Sequence, residues 1–196
     1  MLDMIAKARA KNPDGRHFGG RLLLHSCCAP CSGYVLELLA EAFELTVYYS
    51  NGNIYPFEEY SRREREQRRL ADIKGISYVE AEYDGGAYEQ LFRGLEGERE
   101  GGARCLLCIE RRMRTAADYA RQNGFDFFTT TLSVSPHKNS AAINRIGGEL
   151  EREIGVRYLY ADFKKQDGYK KSVQLSQELG LYRQDYCGCK HSMDKL

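Results

Sequence analysis

The sequence predicts one α/β domain, a mainly parallel sheet with helices on both faces, and three observations predict it. Short apolar runs alternate with amphipathic stretches of helical period along most of the chain. The first run, Leu22-Leu23-Leu24, is continuously apolar, as in a strand covered on both faces. Each run is followed by turn or cap residues, such as Ser26-Cys27-Cys28-Ala29-Pro30 and Ser50-Asn51-Gly52-Asn53, which set strand, loop and helix in a repeating order.

Taken in order, the first strand is expected over Arg21 to His25. A helix follows because Pro30 suits a first helical position and Tyr34, Val35, Leu38, Leu39 and Ala42 recur at helical spacing. Leu45 to Tyr49 reads as the second strand and Phe57 to Lys74 as a charged helix. A third strand near Ile76 to Ala81 leads into an acidic, glycine-rich connection. A helix from about Arg104 should stop at Asn123-Gly124. Phe125 to Thr131 is rich in aromatic and β-branched residues and reads as a strand. A helix near Asn139 to Glu153, a strand at Val156 to Tyr160 and a last helix near Tyr169 to Leu179 complete the order. Residues 1–20 read as an N-terminal extension and residues 21–196 as the single domain, since 196 residues with 42% hydrophobic content can bury one core of ordinary size.

The formal net charge of +1 gives no global argument for a nucleic-acid partner. Local clusters are more informative. Residues 61–74 hold six basic and three acidic side chains, and Lys164, Lys165, Lys170 and Lys171 form a second basic group. The N-terminal residues lack an uninterrupted apolar segment, and no stretch approaches the roughly 18 residues a membrane span needs. A soluble, cytoplasmic protein without membrane contact is expected. In a reducing compartment, seven cysteines point to thiolate chemistry or metal binding rather than a disulfide framework.

Those cysteines form three groups: Cys27-Cys28-x-x-Cys31, Cys105-x-x-Cys108 and Cys187-Gly188-Cys189. In a C-x-x-C at a helix start both sulfurs lie on one face, and the helix N-terminus favours thiolate. Cys105 and Cys108 fit this directly. Cys28 and Cys31 flank Pro30 in the same way, with Cys27 as a third sulfur. Spacing alone leaves zinc and an iron-sulfur cluster level, since two such pairs supply four soft ligands to either; buried structural cysteines are the bland alternative. The tail pair, Cys187 and Cys189, fits a strained, easily reduced disulfide, metal ligation or simple reactive surface thiols.

Around the strand ends, Thr129-Thr130-Thr131-Leu132-Ser133 with Pro136-His137-Lys138-Asn139 suits either anion contact or a capped helix start. His25 reads as a core histidine or a site residue. Tyr55, Phe57, Tyr60, Arg62 and Arg63, with Lys164 and Lys165, outline a basic and aromatic surface of the kind RNA requires, although a charge run of this type is often a solvated helix face.

Five blocks in this order, HSCCAPCSG at 25–33, RCLLCIERR at 104–112, TTTLSVSPHKN at 129–139, DFKKQDGYKKS at 162–172 and LYRQDYCGCKHS at 181–192, resemble the QueH-type epoxyqueuosine reductases. One departure is Asn51-Gly52-Asn53-Ile54, where that family usually carries a proline. The resemblance implies a Rossmann-like fold related to PP-loop and other HUP nucleotide-binding proteins, with His25-Ser26-Cys27-Cys28 in place of their phosphate loop. It implies two-electron reduction of epoxyqueuosine at the tRNA wobble position to queuosine, with loss of water, by an iron-sulfur oxidoreductase without cobalamin. On that basis Cys27, Cys28, Cys105 and Cys108 are expected to hold a [4Fe-4S] cluster. Cys31 is spare for an additional mononuclear iron, Cys187 and Cys189 form a redox pair able to swing over the site, and the electron donor is not identified. Two rivals are a zinc-stabilised tRNA-binding protein and a tRNA sulfurtransferase, the latter disfavoured by the missing phosphate loop.

Overall fold

The computed structural model describes residues 19–193. The extension expected over residues 1–20 therefore lies, apart from Gly19 and Gly20, outside the described residues. Five strands form one sheet: β1 (Arg21–His25), β2 (Glu44–Tyr49), β3 (Ser77–Glu80), β4 (Phe127–Thr130) and β5 (Arg157–Tyr158). Their order is β3-β2-β1-β4-β5 and every pairing is parallel, with Leu23 opposite Thr46 on one side and Phe128 on the other. The helices are α1 (Ala29–Ala40), α2 (Phe57–Lys74), α3 (Gly85–Leu91), α4 (Ala103–Gln122), α5 (Ser140–Ile154), α6 (Gly168–Glu178) and the short α7 (Lys190–Met193). A 3₁₀ turn, Thr131–Val134, follows β4.

The leucine run of β1 explains the layering. Successive side chains of a strand point to opposite faces, so Leu22 and Leu24 join one core with Val35, Leu36 and Leu39 of α1, while Leu23 joins the other with Met113, Ala116 and Ala120 of α4 and Ile143 and Ile146 of α5. All three leucines are fully buried, each worth roughly 1.5–3 kcal/mol of transfer free energy. Helices α1 and α6 pack as a pair on the first face, where a Cβ on Gly33 would lie 2.9 Å from Leu175 Cδ2. The expected doubly covered parallel sheet is the observed one.

Strand order places the site. Because β2 and β3 lie on one side of β1 and β4 and β5 on the other, the chain reverses direction across the sheet between β1 and β4. The crevice beyond the C-terminal ends of these two strands is the switch point where such sheets bind ligands. No helix among the described residues is long and apolar enough to cross a membrane.

Four elements depart from expectation, the short α7 beyond the last expected helix being one. Helix α3 lies where a glycine-rich connection was expected, its start capped by Asp84 accepting from the Ala87 N–H at 3.0 Å. Strand β5 has two residues rather than five, since beyond Tyr158 only the Leu159 N–H continues to β4, donating to the Phe128 carbonyl. Strand β4 likewise stops at Thr130, where the 3₁₀ turn begins.

Candidate active site

At the switch point the three cysteine groups arrive on separate elements. Cys27 and Cys28 end the β1 loop and Cys31 lies in the first turn of α1. Their three sulfurs lie within 4.8 Å of one another, the only three-ligand group of this kind among the described residues. Thr131 holds the loop from both sides, its Oγ1 accepting from the Cys27 N–H at 3.1 Å and donating to Cys27 Sγ at 3.3 Å. Gln184 from the C-terminal segment donates to Cys28 Sγ at 2.9 Å. Cys31 thus lies with Cys27 and Cys28, as their grouping in the sequence suggests.

Cys105 and Cys108 lie in the first turns of α4 as the spacing requires, and with Cys187 and Cys189 they line a cavity of about 110 Å³. A second cavity, of about 440 Å³, is lined by Cys27, Cys28 and Cys31, and Cys187 borders both. All seven cysteines are free thiols. Gly188 lies between its two cysteines at φ +116°, a conformation side chains rarely adopt, and a Cβ there would stand 2.9 Å from Arg63 Nη1.

Hydrogen bonds tie the C-terminal segment to α2 and the loop before it. Arg63 donates to the carbonyls of Tyr186 and Cys187, both at 3.3 Å, the Tyr55 N–H donates to the Gly188 carbonyl at 2.7 Å, and Tyr186 Oη donates to the Tyr55 carbonyl at 2.7 Å. This corrects the RNA-facing reading of Arg63, which is 2% exposed and paired with Glu59, and of Tyr60, also buried. Lys164 is likewise committed, donating to the Lys138 carbonyl at 3.1 Å and to Ser140. Arg62 remains exposed with its guanidinium over the Tyr182 ring, and Lys165, Lys170 and Lys171 are exposed.

Two cations face the thiols. Arg112, on α4 one turn beyond Cys108, is 3% exposed and donates to Asn51 Oδ1, while Asn51 Nδ2 donates to the Ser26 carbonyl at 2.9 Å. Arg112 has no carboxylate partner among the described residues, nor does Lys138; both line the two cavities. Burial alone would lower the pKa of each, but Cys108 and Cys27 beside Arg112, and Cys187, Cys27 and Cys31 beside Lys138, outweigh it and hold both above their usual values. Spacing could have revealed Arg112, since positions 105, 108 and 112 share one helix face.

The thiols divide in protonation. Hydrogen bonds from Cys28 and Cys31 hold Cys27 well below the usual thiol range despite burial, with Arg112 and Lys138 adding to the effect. The same bonds push Cys31 well up, and the bond to Cys27 takes Cys28 to about 12. Burial raises Cys105, and takes Cys108 to about 12 against the pull of Arg112. Of the first group, Cys27 is the thiol whose surroundings most favour ionisation.

The remaining sequence candidates resolve individually. His25 is a core histidine: it is fully buried, with Nδ1 2.8 Å from Thr130 Oγ1 and Nε2 3.3 Å from the Ser50 carbonyl. Asn139 caps α5, accepting from the Ala141 and Ala142 N–H groups at 2.9 and 3.1 Å. His137 and Lys138, just before that cap, line the cysteine cavities.

A Rossmann-like parallel sheet whose switch point is occupied by thiols, with cations facing them, defines a cysteine-centred α/β protein. The chain belongs to the epoxyqueuosine reductase QueH family, whose model matches residues 22–195. Relatives named epoxyqueuosine reductase QueH include one from Streptococcus pyogenes, 40% identical over 193 residues and covering 95% of this chain and 76% of that protein. Another, from Haemophilus influenzae, is 40% identical over 183 residues, covering 92% of this chain and 74% of that one. A third, from Thermotoga maritima, is 34% identical over 180 residues, covering 89% and 91%. Among solved structures, the U34-tRNA thiolase NcsA from Methanococcus maripaludis with its [4Fe-4S] cluster matches with a TM-score of 0.57 at 13% identity, over 97% of this chain and 67% of that one. That likeness is one of fold.

Proposed function

We propose that this chain reduces epoxyqueuosine at the tRNA wobble position to queuosine in the cytoplasm, using iron-sulfur chemistry without cobalamin. The observation that carries the reading is the convergence of seven thiols and two carboxylate-free cations at the switch point of a QueH-family fold. Removing the epoxide oxygen as water and leaving an alkene consumes two electrons and two protons. The chain must therefore hold a redox group, collect protons and stabilise negative charge on oxygen.

The donor set fits an iron-sulfur cluster, being soft thiolates on three elements with cations to balance their charge. In our assignment Cys27, Cys28, Cys105 and Cys108 hold a [4Fe-4S] cluster, which supplies single-electron transfer when bound, and a further mononuclear iron would find Cys31 free. Arg112 and Lys138 keep anionic ligands or substrate oxygen stable in a site partly shielded from water. Cys187 and Cys189 act as a redox pair: two thiols becoming one disulfide release two electrons and two protons, the amount the epoxide consumes. An external electron donor then returns the pair to thiols. Gly188 relieves the backbone at that short loop.

A second ligand assignment includes Cys31, because its sulfur groups with those of Cys27 and Cys28. Iron and acid-labile sulfide in anaerobically reconstituted variants separate the two. Under our assignment Cys105→Ser loses the cluster and Cys31→Ser keeps it; the reverse pattern moves Cys31 into the ligand set. Zinc without iron or sulfide in the wild-type protein would overturn both.

A further inference from the structure

The space lined by cysteines does not end at Cys189. A third cavity, of about 300 Å³, opens beyond it and shares Asn53, Phe92 and Cys189 with the cavity beneath Cys105 and Cys108. The cavity of the first cysteine group in turn shares Arg112, Lys138 and Cys187 with the one beneath Cys105 and Cys108, so three adjoining cavities form a trough across the strand ends. Its chemistry changes along its length. At the far end Tyr55, Phe57, Tyr83 and Tyr88 replace the thiols as lining groups.

Phe57 and Tyr83 are held before any ligand arrives. Phe57 meets Tyr83 edge-on with centroids 5.1 Å apart and stacks on buried Tyr60 at 5.9 Å, while Tyr83 Oη donates to the Ile54 carbonyl at 3.0 Å. Yet Phe57 and Tyr55 leave 54% and 48% of their surface in solvent. Solvent-facing aromatic rings bordering a cavity are what a flat ligand stacks on. At the junction of the two chemistries, Asn53 is 5% exposed and its Oδ1 is buried without a hydrogen-bond partner among the described residues. A buried acceptor left unpaired is unfavourable unless a ligand donor fills it.

We propose that the aromatic end of the trough receives an unstacked nucleobase of the RNA strand, next to the nucleotide reduced at the cysteine end. The inference rests on the reductase reading above. A nucleobase presents a π-face to Tyr55 and Phe57 and a ring N–H or exocyclic amine to Asn53 Oδ1, and proteins read single-stranded RNA in this way. The two cavities share Asn53 and Cys189 in their linings, so their occupants would be neighbours along one strand. Lys190 borders the same cavity, its Nζ 3.1 Å from Glu89 in an exposed pair that can yield to a phosphate.

The test uses the reconstituted holoenzyme and a synthetic anticodon stem-loop RNA with 2-aminopurine on the 3′ side of the wobble nucleotide. Binding to the wild-type protein quenches the 2-aminopurine fluorescence. A Tyr55→Ala, Phe57→Ala double variant loses the quench and binds roughly 5- to 150-fold more weakly for each stacked ring removed, with the slope of log Kd against log salt unchanged because every phosphate-binding cation is still in place. Both rings are about half exposed, so their truncation leaves the core intact; a Tyr55→Phe, Phe57→Tyr variant restores the quench. Tyr160→Ala, another exposed ring that lies outside the trough, keeps wild-type affinity. An unquenched wild-type complex, equal binding by the double variant, or an equal loss in Tyr160→Ala overturns the proposal. Turnover of epoxyqueuosine by the wild-type enzyme is a separate readout: turnover with unaltered binding in the double variant removes the nucleobase site alone, and absence of turnover removes the reductase reading.

Discussion

Arg63→Ala should unfasten the C-terminal segment that carries Cys187 and Cys189. The guanidinium is buried, donates from Nε to Glu59 Oε1 at 2.6 Å, bonds the carbonyls of Tyr186 and Cys187, and sits over the Tyr186 ring with its carbon 4.8 Å from the centroid. Truncation leaves the Glu59 carboxylate, whose side chain is only 12% exposed, with the Tyr182 hydroxyl as its remaining donor. Breaking a buried pair from one side costs about 3–5 kcal/mol. At roughly 2–4 °C per kcal/mol for a domain of this size, Tm should fall by about 6–20 °C. Anaerobic denaturant unfolding measures the loss, and maleimide labelling of Cys187 and Cys189 should accelerate as the segment frees. Replacing both partners, as in Glu59→Gln with Arg63→Met, should recover part of the stability because no lone charge stays buried. A loss under about 1 kcal/mol with unchanged labelling would refute the anchoring role.

Two further expectations concern pH and salt. Burial lowers the His25 pKa to about 3 from an ordinary 6.5, so the unfolded chain takes up this proton first and stability is lost as pH falls from 6.5 towards 3. At pH 5 the loss from this group is about 2 kcal/mol; in the metal-free protein His25→Asn should flatten that part of the stability–pH curve, and an unchanged curve would contradict the neutral-histidine reading. For RNA binding, Lys165→Ala with Lys170→Ala should reduce affinity and lower the salt slope by about 0.7 for each phosphate no longer neutralised, whereas Lys164→Ala should chiefly reduce stability, since its ammonium ties the Lys138 carbonyl to Ser140. Equal salt slopes for all variants would remove this face from the RNA footprint.

Local signals carry much of the fold. Helix α2 is legible from end to end because Glu58 and Glu59 suit its first turn and Gly75 stops it at φ +62°. The leucine run of β1 marks a strand buried on both faces. Helix α3 is not legible, since Gly85 and Gly86 open it and glycine reads as loop unless the Asp84 cap is weighed. In the site, the sequence shows that thiols end strands and begin helices, but which sulfurs meet depends on pairings between distant segments. Gln184 reaching Cys28 from 156 residues away is one such pairing. The same holds for Arg63: a charge run suggests a solvated or RNA-facing side, yet Glu59 and two tail carbonyls satisfy this guanidinium inside the protein.

The central claim is that this chain removes the epoxide oxygen from epoxyqueuosine through its thiol-lined switch point. Mass spectrometry of nucleosides from tRNA carrying epoxyqueuosine, after anaerobic incubation with the iron-reconstituted protein and a one-electron reductant, tests it most directly. The modified nucleoside should be converted to a product lighter by one oxygen atom, and the conversion should be lost when Cys27, Cys28, Cys105 or Cys108 is changed to serine. An unchanged nucleoside with fully reconstituted wild-type protein, or conversion at the wild-type level by the Cys27→Ser or Cys105→Ser variant, would contradict it.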